Sequence, residues 1–173
     1  MAARVGIVVM GVTGCGKSTF GQALAAALGV TYLEGDALHS PANIARMSAG
    51  VALTDADRLP WLDVIAARLA AAPGAVAGCS ALKRSYRDRL RAKAGGALRF
   101  VHLKADRALI ETRLSARKGH FMPPSLIDSQ FATLEDPAGE SGVITIDIAR
   151  PPDAALQDAL RLLGADGQGG FDV

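Results

Sequence analysis

The residues best suited to chemistry stand in the stretch GVTGCGKST, residues 11–19. Gly11, Gly16, Lys17 and Ser18 take the fixed positions of the pattern GxxxxGK[ST], with the apolar run VGIVVM before them and the helix-forming FGQALAAALG after them. Glycines at 11, 14 and 16 let the chain bend so that successive backbone N–H groups point into one concavity, at the positive end of a helix. Such a loop holds the phosphates of a nucleoside triphosphate, with Thr13, Cys15 and Thr19 completing the cradle. Lys17 would reach the β and γ phosphates, and the Ser18 hydroxyl would meet Mg2+. A plain Gly-rich turn would leave the lysine and the hydroxyl in register for no reason.

If a triphosphate binds there, something must receive the phosphoryl group. A carboxylate beside the γ-phosphate can accept the proton of an attacking hydroxyl or help to hold the water shell of a metal. Asp36, in EGDALH, is the candidate, and its other reading is a turn aspartate after Gly35. His39, in the same stretch, is either a polar contact to the acceptor or a loop histidine bonded to backbone. The segment NIARMSAGVALTDADRLPWL adds Arg46 and Arg58. Arg58, one turn into a helix, suits a bidentate grip on a carboxylate or phosphate, or a surface pair with Asp55 or Asp57. Thr54 reads as an N-cap with Asp57 in the capping-box place, which makes Asp55 and Asp57 helix-start charges and leaves Trp61 to the core.

Further along, CSALKRSYR offers Ser80, Lys83 and Arg87. Lys83 and Arg87 share a helix face in the first turn and suit an anion, whereas Arg84, Arg89, Arg91 and Lys93 read as a solvated face, with Arg84 four residues from Asp88. In RLSARKGHFMPPSL, Arg113 and Arg117 are also four apart. One suits stacking on a base and the other suits neutralising a transferring phosphoryl group; their alternative role is compensation of the helix dipole. Gly119 and the following Pro-Pro stop give this segment the look of a hinged flap that closes over a cleft.

These groups need a scaffold. Short β-branched runs near 5–10, 31–34, 75–79, 98–103 and 143–148 alternate with helical patterns at 17–28, 41–49, 57–72, 84–94, 106–117, 125–134 and 153–163. The alternation predicts parallel strands joined by crossover helices. Ligands of an open parallel sheet gather beyond the carboxyl ends of its strands, so the loops after the first three strands should converge on one cleft. The tail at 166–173 has little to pack and is expected to fray.

Composition sets the outer bounds. A chain of 173 residues, half of them hydrophobic, suffices for one domain over 1–165 with a sizeable core. A net charge of +2, from 19 basic and 17 acidic residues, gives no field that would attract nucleic acid or a membrane surface. The basic run at 83–93 carries a single ring, Tyr86, which argues against single-stranded nucleic acid. Cys15 and Cys79 fit neither a zinc spacing nor a disulfide framework, and read as free thiols in a reducing compartment. The first apolar run is too short for a signal core, and no run reaches the roughly 18 apolar residues of a membrane span, so a cytoplasmic protein is expected.

Together the blocks GDALHSPANIARMSAG, LTDADRLPWL, CSALKRSYRDRLR and RKGHFMPPSLIDSQFATLEDP resemble the small ATP-dependent gluconate kinases, which are similar to shikimate and nucleoside monophosphate kinases. The resemblance runs from Gly11 to Pro152. It implies the α/β fold of P-loop NTPases: a five-stranded parallel sheet with helices on both faces, a helical acceptor-binding insert at about 36–72 and a lid at about 117–125. It also implies ATP and D-gluconate as substrates, ADP and 6-phosphogluconate as products, and often a homodimer. Lys17, Asp36 and Arg117 would then be catalytic, with Arg113 and Arg117 on the nucleotide. Asp36, His39, Arg46, Arg58, Lys83, Arg87, His120 and Gln130 would contact the acceptor.

The chain departs from the pattern at Arg46, usually lysine, and at Ala52, usually proline. The third strand ends in GCS, without the usual Walker B carboxylate, which leaves Mg2+ to Ser18, the phosphates and water, with Asp36 nearby. A third strand beside the first, as in kinases of this kind, would bring Cys15 and Cys79 to one edge of the sheet, where oxidation of accessible thiols would hinder ATP. Two other readings are a shikimate or nucleotide kinase and a module that holds ATP without transferring it. The ending GCSALK, where shikimate kinases carry a GGG turn, speaks against shikimate.

Overall fold

A computed structural model describes residues 4–117 and 124–165. His120, most of the expected lid and the tail at 166–173 lie outside the described residues.

Five strands, β1 (Gly6–Met10), β2 (Tyr32–Glu34), β3 (Val76–Gly78), β4 (Leu98–Lys104) and β5 (Val143–Asp147), form one sheet in the order β2-β3-β1-β4-β5. Every neighbouring pair is parallel. Each strand lies within a residue of its expected ends. The helices α1 (Lys17–Leu28), α2 (Pro41–Ser48), α3 (Asp55–Ala71), α4 (Arg84–Lys93), α5 (Arg107–Ala116), α6 (Pro124–Thr133) and α7 (Pro152–Ala165) lie within two residues of theirs.

The apolar run of β1 is buried at all five positions because helices cover both faces of the sheet. Side chains alternate along a strand. Ile7 and Val9 join a core layer with Leu24 of α1 and Ala159 and Leu163 of α7, while Val8 and Met10 join the opposite layer with Leu62 and Ile65 of α3 and Leu90 of α4. From β1 the chain passes to one side for β2 and β3 and then crosses to the other side for β4. The loop after β1 therefore sits where neighbouring connections leave in opposite directions, the crevice that binds ligands in open parallel sheets.

Local chemistry fixes the elements around that crevice. The start of α3 is a capping box: Asp57 N–H donates to Thr54 Oγ1 at 3.2 Å, and Thr54 N–H donates to Asp57 Oδ2 at 2.8 Å. The N-cap falls at Thr54, where the sequence places it, so the helix begins at Asp55, two residues ahead of the helical pattern at 57–72. Ser40 caps α2 by accepting from Asn43 N–H at 3.2 Å, with Pro41 in the first turn. A 3-10 turn at Gly35–Leu38 was not anticipated and carries Asp36. Among the described residues, no helix is long and apolar enough to cross a membrane.

Candidate active site

The phosphate loop closes with Gly16 at φ 92° as the N-cap of α1, a left-handed setting that strains any side chain. Lys17 Nζ donates to the carbonyls of Gly11 and Val12, both at 3.1 Å, so the ammonium curls over the loop it serves. Ser18 Oγ donates to Glu34 Oε2 at 2.5 Å, and Tyr32 Oη donates to the same oxygen at 3.2 Å. Glu34 is the functional candidate that the sequence reading missed. β3 ends without an acid, whereas Glu34 stands at the end of β2, two residues before Asp36, in the strand end YLEGD.

On one side of the loop lies a cleft of about 320 Å3 lined by Thr13, Lys17, Asp36, His39, Arg58 and Ser80, with Met47, Ser48 and Leu53 beyond them and Ser129 and Gln130 of α6 opposite. Gln130 Oε1 accepts from Thr13 N–H at 3.1 Å, which seats α6 on the phosphate loop. Asp36 is exposed on its turn. Gly35 packs so closely on the Gly78 carbonyl that a Cβ has no room. His39 is buried, stacked on Trp61 with ring centroids 4.0 Å apart and planes at 15°. Its Nδ1 lies 3.3 Å from Asn43 Nδ2. Burial, aided by the Arg58 charge and opposed by Asp36, holds this imidazole below its ordinary range, so it is neutral near pH 7.

Arg58 is 5% exposed and faces the cleft. Its Nε donates to Leu53 O at 3.4 Å, and its guanidinium lies 5.8 Å from the centre of the Tyr86 ring. The surface pairing considered for it goes to other residues: Arg46 takes Asp57 at 3.5 Å, and Lys83 takes Asp55 at 3.0 Å. Arg46 and Lys83 thus stand outside the lining of the cleft, contrary to expectation. Tyr86, whose hydroxyl donates to Asp55, and Lys83 hold the Asp55 carboxyl below the usual carboxylate range.

Arg87 departs furthest from expectation. It is 1% exposed, and all five of its N–H groups are engaged: Nε and Nη2 with Glu140, Nη1 with the carbonyls of Ala81 at 2.9 Å and Leu82 at 3.0 Å, and Nη2 also with Glu135 O at 3.3 Å. No donor remains for an anion in the cleft. Although burial opposes it, hydrogen bonds from Arg87 and Arg91 keep the Glu140 carboxyl below its usual range, so the buried pair stays ionised. Its role is to brace the turn in which Ala81 adopts φ 43°, a left-handed setting unusual for alanine. Arg84 and Asp88 form the expected pair at 3.7 Å.

A second cleft of about 300 Å3 lies across the loop, walled by Gly14, Cys15, Gly16, Thr19 and Phe20 on one side and by Arg113, Arg117, Ile148, Arg150, Pro152 and Asp153 on the other. Arg113 donates to Cys15 O at 3.4 Å and to Ile148 O at 2.9 Å. Arg113, in the last turn of α5, and Arg117, just past its end, both line this cleft beside the loop. The wall at 148–153 had no motif to announce it.

β3 lies beside β1, yet the thiols are not accessible: Cys15 and Cys79 are 1% and 0% exposed, in core layers on opposite faces of the sheet. Burial pushes the Cys79 thiol up to about 12. The expected redox sensitivity loses its premise. A disulfide reagent should count neither thiol within minutes in the native protein and both in denaturant; rapid native labelling would contradict this packing.

A phosphate loop at the switch point of a parallel sheet, with one cleft on each side of it, defines a small-molecule kinase of the P-loop class. The model of the family described as an AAA domain matches residues 7–137. Gluconokinase of Gluconobacter oxydans (strain 621H) is 47% identical over 164 residues, covering 92% of each chain. The crystal structure of a gluconokinase from Sinorhizobium meliloti 1021 matches with a TM-score of 0.84 and 46% identity, covering 97% of this chain and 100% of that one. Shikimate kinase from Bacteroides thetaiotaomicron, with a TM-score of 0.67 and 16% identity over 92% of this chain and 98% of its own, shares the fold alone. The chain belongs to the gluconokinase family.

Proposed function

We propose that the protein transfers the γ-phosphoryl group of ATP to the 6-hydroxyl of D-gluconate, giving ADP and 6-phospho-D-gluconate. The observation that carries this reading is the shared lining of one cleft by Thr13, Lys17, Asp36 and Arg58. Gluconate offers a primary hydroxyl and a carboxylate, the two groups this cleft is equipped to meet. Asp36 accepts or orients the hydroxyl proton. Arg58, buried and without a carboxylate within ion-pair distance among the described residues, holds the substrate carboxylate. His39, neutral, bonds a substrate hydroxyl. The second cleft takes the nucleoside, with Arg113 against the base and Arg117 toward the phosphates. Lys17 leaves the loop carbonyls for the β and γ oxygens, where charge gathers in the transition state.

The oxygen donors Ser18 and Glu34, 2.5 Å apart beside the phosphate loop, suit Mg2+. Ser18 would ligate it, and Glu34 would hold its water shell. When bound, the metal neutralises charge on the β and γ oxygens. Glu34→Gln is therefore expected to raise the Mg2+ concentration for half-maximal activity by about tenfold or more, the usual scale for a group that orients metal ligands. The KM for gluconate should change little. An unaltered Mg2+ dependence would remove Glu34 from this role.

The site of phosphorylation is tested by phosphorus–proton NMR of the product. Coupling of the phosphate to the C6 methylene protons is expected. Phosphate on any other carbon, or no phosphorylated sugar acid at all, would overturn the reading.

A further inference from the structure

Trp61 makes two contacts that an ordinary core residue does not. It is 3% exposed and packed in the layer that holds Leu62 and Ile65. Its Nε1 donates to Gly35 O at 2.7 Å, and its ring lies flat on His39 at 4.0 Å. Gly35 opens the 3-10 turn and His39 caps it, so the indole grips the turn at both ends with Asp36 between them. The cap bond of the turn, from His39 N–H to Asp36 O, is long at 3.4 Å. A single 3-10 turn with such a bond is soft, and outside contacts must set its direction. Asn43 adds one, reaching His39 Nδ1 at 3.3 Å and Asp57 O at 3.0 Å, which ties the cap to the start of the helix that carries Trp61.

We infer that Trp61 is a positioning residue for phosphoryl transfer: by holding Gly35 and His39 it aims Asp36 at the acceptor hydroxyl without touching substrate. The inference rests on the role given to Asp36 above. The two are separable by experiment, because Asp36 would act by its charge and Trp61 by the direction it imposes. His39 lines the acceptor cleft and Trp61 does not, so the indole lies one ring behind the cleft wall. Trp61 is also the single tryptophan of the chain, which makes its emission a direct report on that wall.

Trp61→Phe keeps a ring for His39 to stack on and loses the N–H donor. Its kcat should fall by about tenfold, a modest share of the roughly hundredfold that a misplacement of about 1 Å can cost, while KM for ATP stays within about twofold. Gluconate, added to the wild-type protein with ADP and Mg2+ present, should change the Trp61 emission saturably as the cleft fills. A folded Trp61→Phe protein with wild-type kcat, alongside an inactive Asp36→Asn, would overturn the role of Trp61 alone. An active Asp36→Asn would overturn the base itself. A lowered melting temperature with kcat unchanged would reduce Trp61 to a core residue. Should Trp61→Phe fail to fold, the wild-type emission decides, and an emission unmoved by saturating gluconate would overturn the inference.

Discussion

Lys17→Ala is expected to lower kcat by at least about a thousandfold and to leave the protein folded. Among the described residues, the hydrogen bonds of the Lys17 ammonium go to the carbonyls of Gly11 and Val12 and, weakly, to the Cys15 sulfur. Removing it costs the fold little, because α1 is capped by Gly16 and held by Leu24 and Ala25 in the core. Transfer suffers far more. A phosphoryl group in flight spreads charge over its oxygens, and an arginine positioned to meet that charge contributes a rate factor of about 10³ to 10⁵, the scale expected of Lys17. Kinetics together with a melting curve check both halves. Near-normal turnover in a folded Lys17→Ala protein would sink the assignment of this loop.

The second large effect is expected on the acceptor side. Asp36→Asn keeps the shape of the side chain and removes its charge, so it should lower kcat by roughly a hundredfold or more, the usual scale of general base catalysis. The KM for ATP should change much less, since the loop and the wall formed by Arg113 and Arg117 are untouched. Arg58→Ala should instead raise the KM for gluconate by roughly tenfold or more, as expected for loss of a hydrogen bond to a charged group. Its kcat should move less, provided the grip is equally strong in ground and transition states. The pair separates chemistry from hold. Steady-state rates with gluconate and ATP varied in turn decide between them, and an Asp36→Asn enzyme of ordinary kcat would leave Asp36 a turn residue only.

What could be read from the sequence was what depends on near neighbours. The phosphate loop is defined by spacing within nine residues and by the strand and helix on its flanks. The capping box at Thr54 and Asp57 and the pair Arg84–Asp88 are local for the same reason. Helical spacing also showed that Lys83 and Arg87 share a face, but not what that face sees. Arg87 is claimed by Glu140, 53 residues away, and Lys83 by Asp55, 28 residues back. Glu34 meets Ser18 only because β2 ends beside the helix that follows the loop. The wall of the second cleft at 148–153 exists because α7, which follows β5, packs against α1 from the far end of the chain. Tertiary partners of this kind leave no period or motif behind them.

Release of ADP from ATP and Mg2+, followed with D-gluconate, with shikimate and with no acceptor, tests the central claim most directly. Rapid release is expected with gluconate alone, one ADP for each gluconate phosphorylated, with only slow background hydrolysis in the other two. Release that is equally fast without an acceptor, or that shikimate supports as well as gluconate does, would contradict it.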